Sequence, residues 1–366
     1  MACSATWNSP RLTSAKTGNT LQRHTTAILI ERHGAPEVLV ERTIPLGDPG
    51  PGQVHLEVAA TGVNFADLLM RAGLYGTVPP MPYSPGFEAA GTVRRVGPGV
   101  TDWAPGDRAV ALIRHGGYAH DLLVATPNLF RYPAGLDAAD AAAVPVAFLT
   151  AWVALFESAR VRAGETALVL NAAGGVGTAA VQLCRWRNIR VIGTAGSESK
   201  RRAVVDRLGA AACFDSAGDW GAGVTGLIGP RGVDVALDAV GGRATQVCRS
   251  LLAPLGRLVF YGMSDAMPAR KKNWIAMIRA WLRTGRIHPL DLIEPNASVA
   301  GIHLLHLHAK EALLRPALDQ IYQAVTAGAL TPLVDQVFPL DRAGAIEAHR
   351  YLHDRRVFGK VVLARL

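Results

Sequence analysis

Gly174, Gly175 and Gly177 crowd the stretch "VLNAAGGVGTAA" (Val169–Ala180), after the apolar run "ETALVL" and before "VQLCRW". Glycine packs nothing and loses more backbone entropy on ordering than any other residue. Its use where a strand should hand over to a helix points to a group that must approach the backbone closely. "AAGGVG" matches the dinucleotide pattern GxGxxG at Gly174 and Gly177, with Ala172 in the first place. A small residue there still permits the tight turn; Gly174 lets the pyrophosphate approach, and Gly177 lets helix and strand pack closely. The N–H groups of the helix start, around Gly175 and Val176, would face the phosphates. An ordinary turn in an alanine-rich chain would use the same residue types.

The next strand bears on which dinucleotide. An NAD site places Asp or Glu about twenty residues beyond the motif, whereas a 2′-phosphate needs a cation. Here "RVIGTA" runs into "GSESKRR", with Ser197 at that place and Lys200, Arg201 and Arg202 behind it. Glu198 reads as a helix-start residue. The basic trio favours NADPH, the alternative being a solvated helix face.

The elements that must hold these residues follow from the patterning. At 366 residues the chain exceeds one usual core, so two domains are expected. Hydrophobic residues at 49% against 18% charged describe a globular chain, and no apolar run reaches the roughly 18 residues of a membrane span. From Ala27 to about Ala125, short alternating runs such as "QVHLEVAATGV" and "RAVALI" are cut by "GDPGPG", "GPGV" and "APGD", which predicts an all-β region. From Ala139 an alanine-rich segment reads as helices broken at Pro145. Strands "TALVLN", "RVIGTA", "AACFD", "VDVALDAV", "GRLVFYG" and "SVAGIHLL" then alternate with helices, which predicts a doubly wound parallel sheet. The polar start, residues 1–25, reads as a flexible tail without a signal-peptide core. Cys3, Cys184, Cys213 and Cys248 show no CxxC spacing, so neither a disulfide framework nor structural zinc is expected, and a reducing cytoplasm fits.

"TGVNFADLLMRAGLYG", "YSPGFEAAGTVRRVGPGVTDWAPGDRAV" and "NAAGGVG", in this order, resemble the zinc-independent quinone oxidoreductase branch of the medium-chain dehydrogenase/reductase superfamily, over nearly the whole chain. "RKKNWIAMIRAWLRTG" and "SVAGIHLLHL" look most like its vesicle amine transport protein subgroup. The resemblance implies an α/β protein: a GroES-like β-rich substrate domain (26–148), a Rossmann domain binding NADPH (149–307), and a tail (308–366) returning to the first domain. Zinc-dependent relatives carry cysteine and histidine where this chain has Asn64 and Phe87, neither of which serves zinc well; no metal is expected. The implied chemistry is hydride transfer from NADPH to a small apolar quinone, enone or enoyl thioester. By resemblance Asn64 faces the nicotinamide side of the cleft, Thr150 contacts the nicotinamide, and Tyr261, Gly262 and Met263 line the cofactor groove. Tyr75, in "GLY", is the candidate to hold a substrate carbonyl or deliver a proton; a packed aromatic is the alternative. Ser216 stands where some quinone reductases have a tyrosine at the 2′-phosphate, and Leu69 where they often have another, which weakens the quinone reading. The resemblance also implies a homodimer through "SVAGIHLL", centred near Gly301 and Ile302.

Other signals carry less. "RKKNWIAMIRAWLRTGR" (270–286) puts Trp274, Met277, Ile278, Trp281 and Leu282 on one helical face, which reads as a lid or packing face before membrane contact. "HLLHLH", read as a strand, sends His306 and His308 to one face and His303 to the other, against metal binding. A net charge of +9 and a pI near 9.7 attract anions, but no recognition motif supports nucleic acid. The second functional reading is an NADPH-binding adaptor with weak or no catalysis that uses the basic helix for contact with a membrane or a protein partner.

Overall fold

The computed structural model describes residues 23–76, 78–264 and 282–365. The first strand already starts at Arg23, inside the stretch expected as tail; residues 1–22 lie outside the described part.

The N-terminal region is built from β1 (Arg23–Ile30), β2 (Leu39–Leu46), β3 (Gln53–Val63), β4 (Glu88–Val96), β5 (Arg108–Leu112), β6 (Asp121–Ala125) and β7 (Leu129–Arg131). It is not all strand. An eight-residue helix, α1 (Phe65–Ala72), follows β3, started by Asn64 and stopped by Gly73 in the left-handed conformation at φ 70°. The signal was local: Asp67, three residues after Asn64, reaches back to the Asn64 N–H at 2.8 Å, half of a capping box. β1 and β2 form a separate antiparallel pair.

α2 (Ala138–Ala142) and α3 (Pro145–Trp152) are separated at Pro145, which occupies the first helical position of α3, where its missing N–H costs nothing. The chain then alternates: β8 (Thr166–Val169), α4 (Gly175–Trp186), β9 (Arg190–Ala195), α5 (Glu198–Asp206), β10 (Ala212–Asp215), α6 (Trp220–Ile228), β11 (Val233–Asp238), α7 (Arg243–Ser250), β12 (Leu252–Phe260), α8 (Leu290–Ile293) and β13 (Ser298–Gly301). All neighbours in this sheet are parallel, in the order β10-β9-β8-β11-β12-β13, the Rossmann order with its switch point between β8 and β11. The reason is visible in β8 and β11. Ala167, Val169, Val235 and Leu237 join one core, and Leu168 and Ala236 the other, so both faces are apolar and must be covered by helices.

"SVAGIHLL" forms a strand only as far as Gly301; a 3-10 turn occupies Leu304–Lys310. After α9 (Glu311–Thr326), β14 (Val334–Pro339) and α10 (Arg342–His353), the last strand, β15 (Lys360–Ala364), pairs antiparallel with β3 and closes a sheet ordered β14-β15-β3-β4-β5-β7, with β6 also on β3. One hydrophobic core runs from β3 and α1 through α2 and α3 to β8 and β11, fixing the two sheets against each other.

Candidate active site

β8 leads directly into the glycine turn. Asn171 sits at φ 53°, which asparagine tolerates, and its carbonyl accepts the Gly174 N–H at 2.9 Å. A Cβ on Gly177 would collide with the Asn171 carbonyl oxygen and the Ala172 backbone. Ala172 fits in the first glycine's place because its neighbour on β9 is Gly193, where a Cβ would stand 2.8 Å from the Ala172 methyl. Gly174 is the N-cap of α4 and has no side chain to satisfy the first-turn N–H groups around Gly175 and Val176. A side-chain-free cradle at a helix start fits a dinucleotide pyrophosphate.

At the end of β9, Ser197 caps α5 by accepting the Lys200 N–H at 3.4 Å. Each cation behind it already has a contact. Lys200 donates Nζ to the Arg355 carbonyl, Arg201 pairs with Asp215 at 3.0 Å, and Arg202 pairs with Glu198. Burial holds the Lys200 ammonium below its ordinary pKa, with Asp335 opposing and Arg355 reinforcing that shift. Lys200, Arg201 and Ser197 thus cluster beside the ends of β9 and β10, and Arg202 turns to its own helix.

The return of the chain end to the glycine turn was not legible in sequence. Gly359 donates its N–H to the Ala173 carbonyl at 2.9 Å, and a Cβ on Gly175 would meet the Lys360 side chain at 2.9 Å. From there Lys360 Nζ reaches the Asn64 Oδ1 at 2.6 Å and Glu88 Oε1 at 2.8 Å. Asn64 Nδ2 donates to the same Glu88 oxygen at 2.9 Å, and Glu88 Oε2 accepts the Val146 N–H of α3 at 2.8 Å. Both polar atoms of the Asn64 side chain are therefore held by the protein. Thr150, buried, follows Val146 by one turn on the same face of α3. Asp67, fully buried, accepts the N–H groups of Asn64 and Gly86 at 2.8 Å each; burial raises its carboxyl to about 7.

Tyr75 packs on Phe87, the residue before Glu88, with ring centroids 5.5 Å apart. Its hydroxyl lies 2.9 Å from His303 Nε2. Burial pushes the phenol up to about 12, with the Asp67 charge adding to it. The reading of "HLLHLH" as a strand is corrected here: the 3-10 turn brings residues three apart into register, so His303 and His306 stack at 3.9 Å with planes 17° apart. The side chain of His308 lies outside the described residues.

Tyr261, Gly262 and Met263 follow β12 at the same carboxyl end of the sheet as the glycine turn. The Tyr261 hydroxyl donates to the Leu170 carbonyl at 3.5 Å, and burial raises its pKa. Gly262 faces the Ala239 carbonyl, where a Cβ would stand at 3.1 Å, and Met263 is exposed. Asp238, also missed, fixes the neighbouring loop by accepting from Val240 N, Gly241 N and Thr245 Oγ1 at 2.6–2.9 Å.

At the positions where zinc-dependent relatives carry ligands, Asn64 is tied to Glu88 and Lys360, and Phe87 is a buried ring. Among the described residues no group of three or more His, Cys, Asp or Glu is placed to hold a metal, and no helix is long and apolar enough to cross a membrane. Of the amphipathic segment, residues 270–281 lie outside the described part; Leu282 is exposed. Glu88 and Lys360 left one signal: each is a lone charge next to an apolar run, in "PGFEAAG" and "GKVVLA".

Family models match two parts of the chain: an alcohol dehydrogenase GroES-like domain at 50–147 and a zinc-binding dehydrogenase at 208–363. The chain is 37% identical over 316 residues to the synaptic vesicle membrane protein VAT-1 homolog of Rattus norvegicus, covering 86% of this chain and 77% of that protein. It is 30% identical over 346 residues to the quinone oxidoreductase of Sus scrofa, covering 93% and 98%. A mycobacterial protein solved in complex with NADPH superposes with a TM-score of 0.81 at 28% identity, over 93% of this chain and 99% of that one.

Proposed function

The chain belongs to the quinone oxidoreductase branch of the medium-chain dehydrogenase/reductase superfamily, near VAT-1, and from that premise we propose an NADPH-dependent, zinc-independent reductase of quinones or activated double bonds. Oxidoreduction with a nicotinamide cofactor is the chemistry of this family. The observation that carries the finer reading is the junction of the glycine turn with the Lys360–Asn64–Glu88 cluster, next to Tyr75.

In this reading Ala172, Gly174, Gly175, Val176 and Gly177 hold the pyrophosphate, and Ser197, Lys200 and Arg201 hold the 2′-phosphate. Asn64, Thr150, Tyr261, Gly262 and Met263 border the nicotinamide half. When bound, NADPH supplies the hydride. The protein's own part is alignment: Lys360 and Glu88 fix the Asn64 amide, Phe87 supports Tyr75, and Tyr75 offers its O–H to the acceptor oxygen where negative charge collects. The relatives' names support a flat apolar acceptor, and the NADPH complex of a structural neighbour supports the cofactor choice. We further propose a cytoplasmic homodimer in which two β13 edges meet.

The test is NADPH oxidation against a panel of enones, enoyl thioesters and quinones. Turnover of at least one class supports the reading. Tight NADPH binding without turnover on any of them would favour the adaptor, which the resemblance to a vesicle membrane protein keeps in view.

A further inference from the structure

Tyr75 makes its hydrogen bond to a residue on the other side of the fold, and that residue is stacked on a second titratable ring. We infer that His303, backed by His306, is the group that orients Tyr75 and returns its proton after each turnover; the inference rests on the reductase reading above.

The geometry has three parts. The Tyr75 hydroxyl and His303 Nε2 are 2.9 Å apart, a hydrogen-bond length. His306 donates its N–H to the His303 carbonyl at 3.0 Å, closing the turn that stacks the rings at 3.9 Å. His306 is exposed, so the file of groups runs from Phe87 and Tyr75 out to water. Two rings stacked nearly parallel cannot aim their lone pairs at one ion, which argues against a metal pair. The same stacking keeps the rings from hydrogen-bonding to each other, so His306 acts on His303 by packing and charge, and the proton itself comes from water at the exposed His303.

The charges facing His303 come from several elements. Tyr75 comes from the loop after α1, His306 from its own turn, and Arg114, with His115 next to it in sequence, from the loop after β5. The imidazole is partly desolvated between Tyr75 and His306 although the residue is exposed overall; this lowers its pKa first, and His306 and Arg114 lower it further. His303 is therefore neutral near pH 7. Tyr75, raised to about 12, keeps its proton until a stronger base appears.

The step balances as follows. Hydride bonds to the electrophilic carbon, and the displaced π pair collects on the acceptor oxygen. The Tyr75 O–H bond breaks as an O–H bond forms on that oxygen. His303 passes its Nε2 proton to the phenolate as it takes one at Nδ1 from water. Exchange with water, Nδ1 losing a proton and Nε2 gaining one, restores the Nε2–H tautomer before the next turnover. The sum is acceptor, NADPH and one proton giving reduced acceptor and NADP+.

This assignment requires the Nε2–H tautomer of His303, which nitrogen-15 NMR of the labelled imidazoles reads without any turnover. Tyr75→Phe should shift both the His303 nitrogen resonances and its titration, and His306→Asn should raise the His303 pKa by removing a like charge. A His303 with Nδ1–H only, or one indifferent to both variants, overturns the inference. In kinetics, His303→Gln keeps a donor for Tyr75 but cannot relay. General acid–base groups contribute about 100- to 10,000-fold, and a relay one step removed should cost at least ~10-fold in kcat, with KM and NADPH affinity held. The solvent isotope effect should rise, and imidazole should restore part of the rate to His303→Ala. Wild-type turnover with an unimpaired His303→Gln sinks the relay alone. Absence of turnover in the wild type removes the reductase reading, and the relay with it.

Discussion

At Asp67 both carboxylate oxygens are engaged by backbone N–H groups, yet the group is fully buried and desolvation outweighs those bonds. Its carboxyl titrates at about 7 in the fold against 3.8 in the open chain. Between these values the folded protein keeps a proton the unfolded chain has lost, so stability falls as pH rises through that window and is level above it. Three pKa units correspond to at most ~4 kcal/mol. Thermal unfolding of wild type and Asp67→Asn from pH 4 to 8 should show the steeper fall in the wild type; parallel curves would remove Asp67 as the cause. The cations behind Ser197 make a second residue-scale prediction. If the two hold the 2′-phosphate, as proposed, alanine at both Lys200 and Arg201 removes charge-assisted contacts worth about 1.5 to 3 kcal/mol each. Calorimetric titration should show NADPH weakened far more than NADH. Equal losses would mean that the two serve only Arg355 and Asp215, their partners in the protein.

Among elements, the buried Lys360–Glu88 pair ties β15 to β4, and Glu88 also caps α3 through the Val146 N–H. Removing one partner of such a pair leaves the other charge uncompensated, at a cost of ~3–5 kcal/mol. Denaturant unfolding of Lys360→Met should show a loss of that size, and adding Glu88→Gln should recover part of it, because a neutral amide needs no counter-charge. A double variant no more stable than the single one would place the damage in packing alone. The same cluster explains Gly62, where any Cβ would run into the Glu88 carboxylate.

For the whole molecule, β13 closes one end of the parallel sheet and is only four residues long. Ile302 donates its N–H inward to the Phe260 carbonyl at 2.8 Å, so by alternation the outward donors are at Val299 and Gly301. Proline at Ile302 would therefore damage the subunit itself. Gly301 is the better probe: nothing lies within 4 Å of a Cβ built there, so the single chain does not require glycine. If two β13 edges meet, Gly301→Glu should leave the melting temperature of the subunit intact and convert dimer to monomer in light scattering. A wild-type monomer at micromolar concentration, or a dimer unaffected by the glutamate, moves the contact elsewhere.

What the sequence determined by itself was set by short-range chemistry. Glycine spacing after an apolar strand, Pro145 at a helix start and strand-helix alternation each depend on residues within a turn or two, so the Rossmann sheet and its glycine turn were readable. The helix α1 was equally local, in Asn64, Asp67 and Gly73, and was masked by the strands around it. Tertiary structure alone decided the rest. The contacts of Lys360 with Asn64 and Glu88, and of Tyr75 with His303, join residues more than two hundred positions apart. No periodicity encodes such a meeting; it arises only when β15 pairs with β3 and the turn after β13 comes to rest against Tyr75.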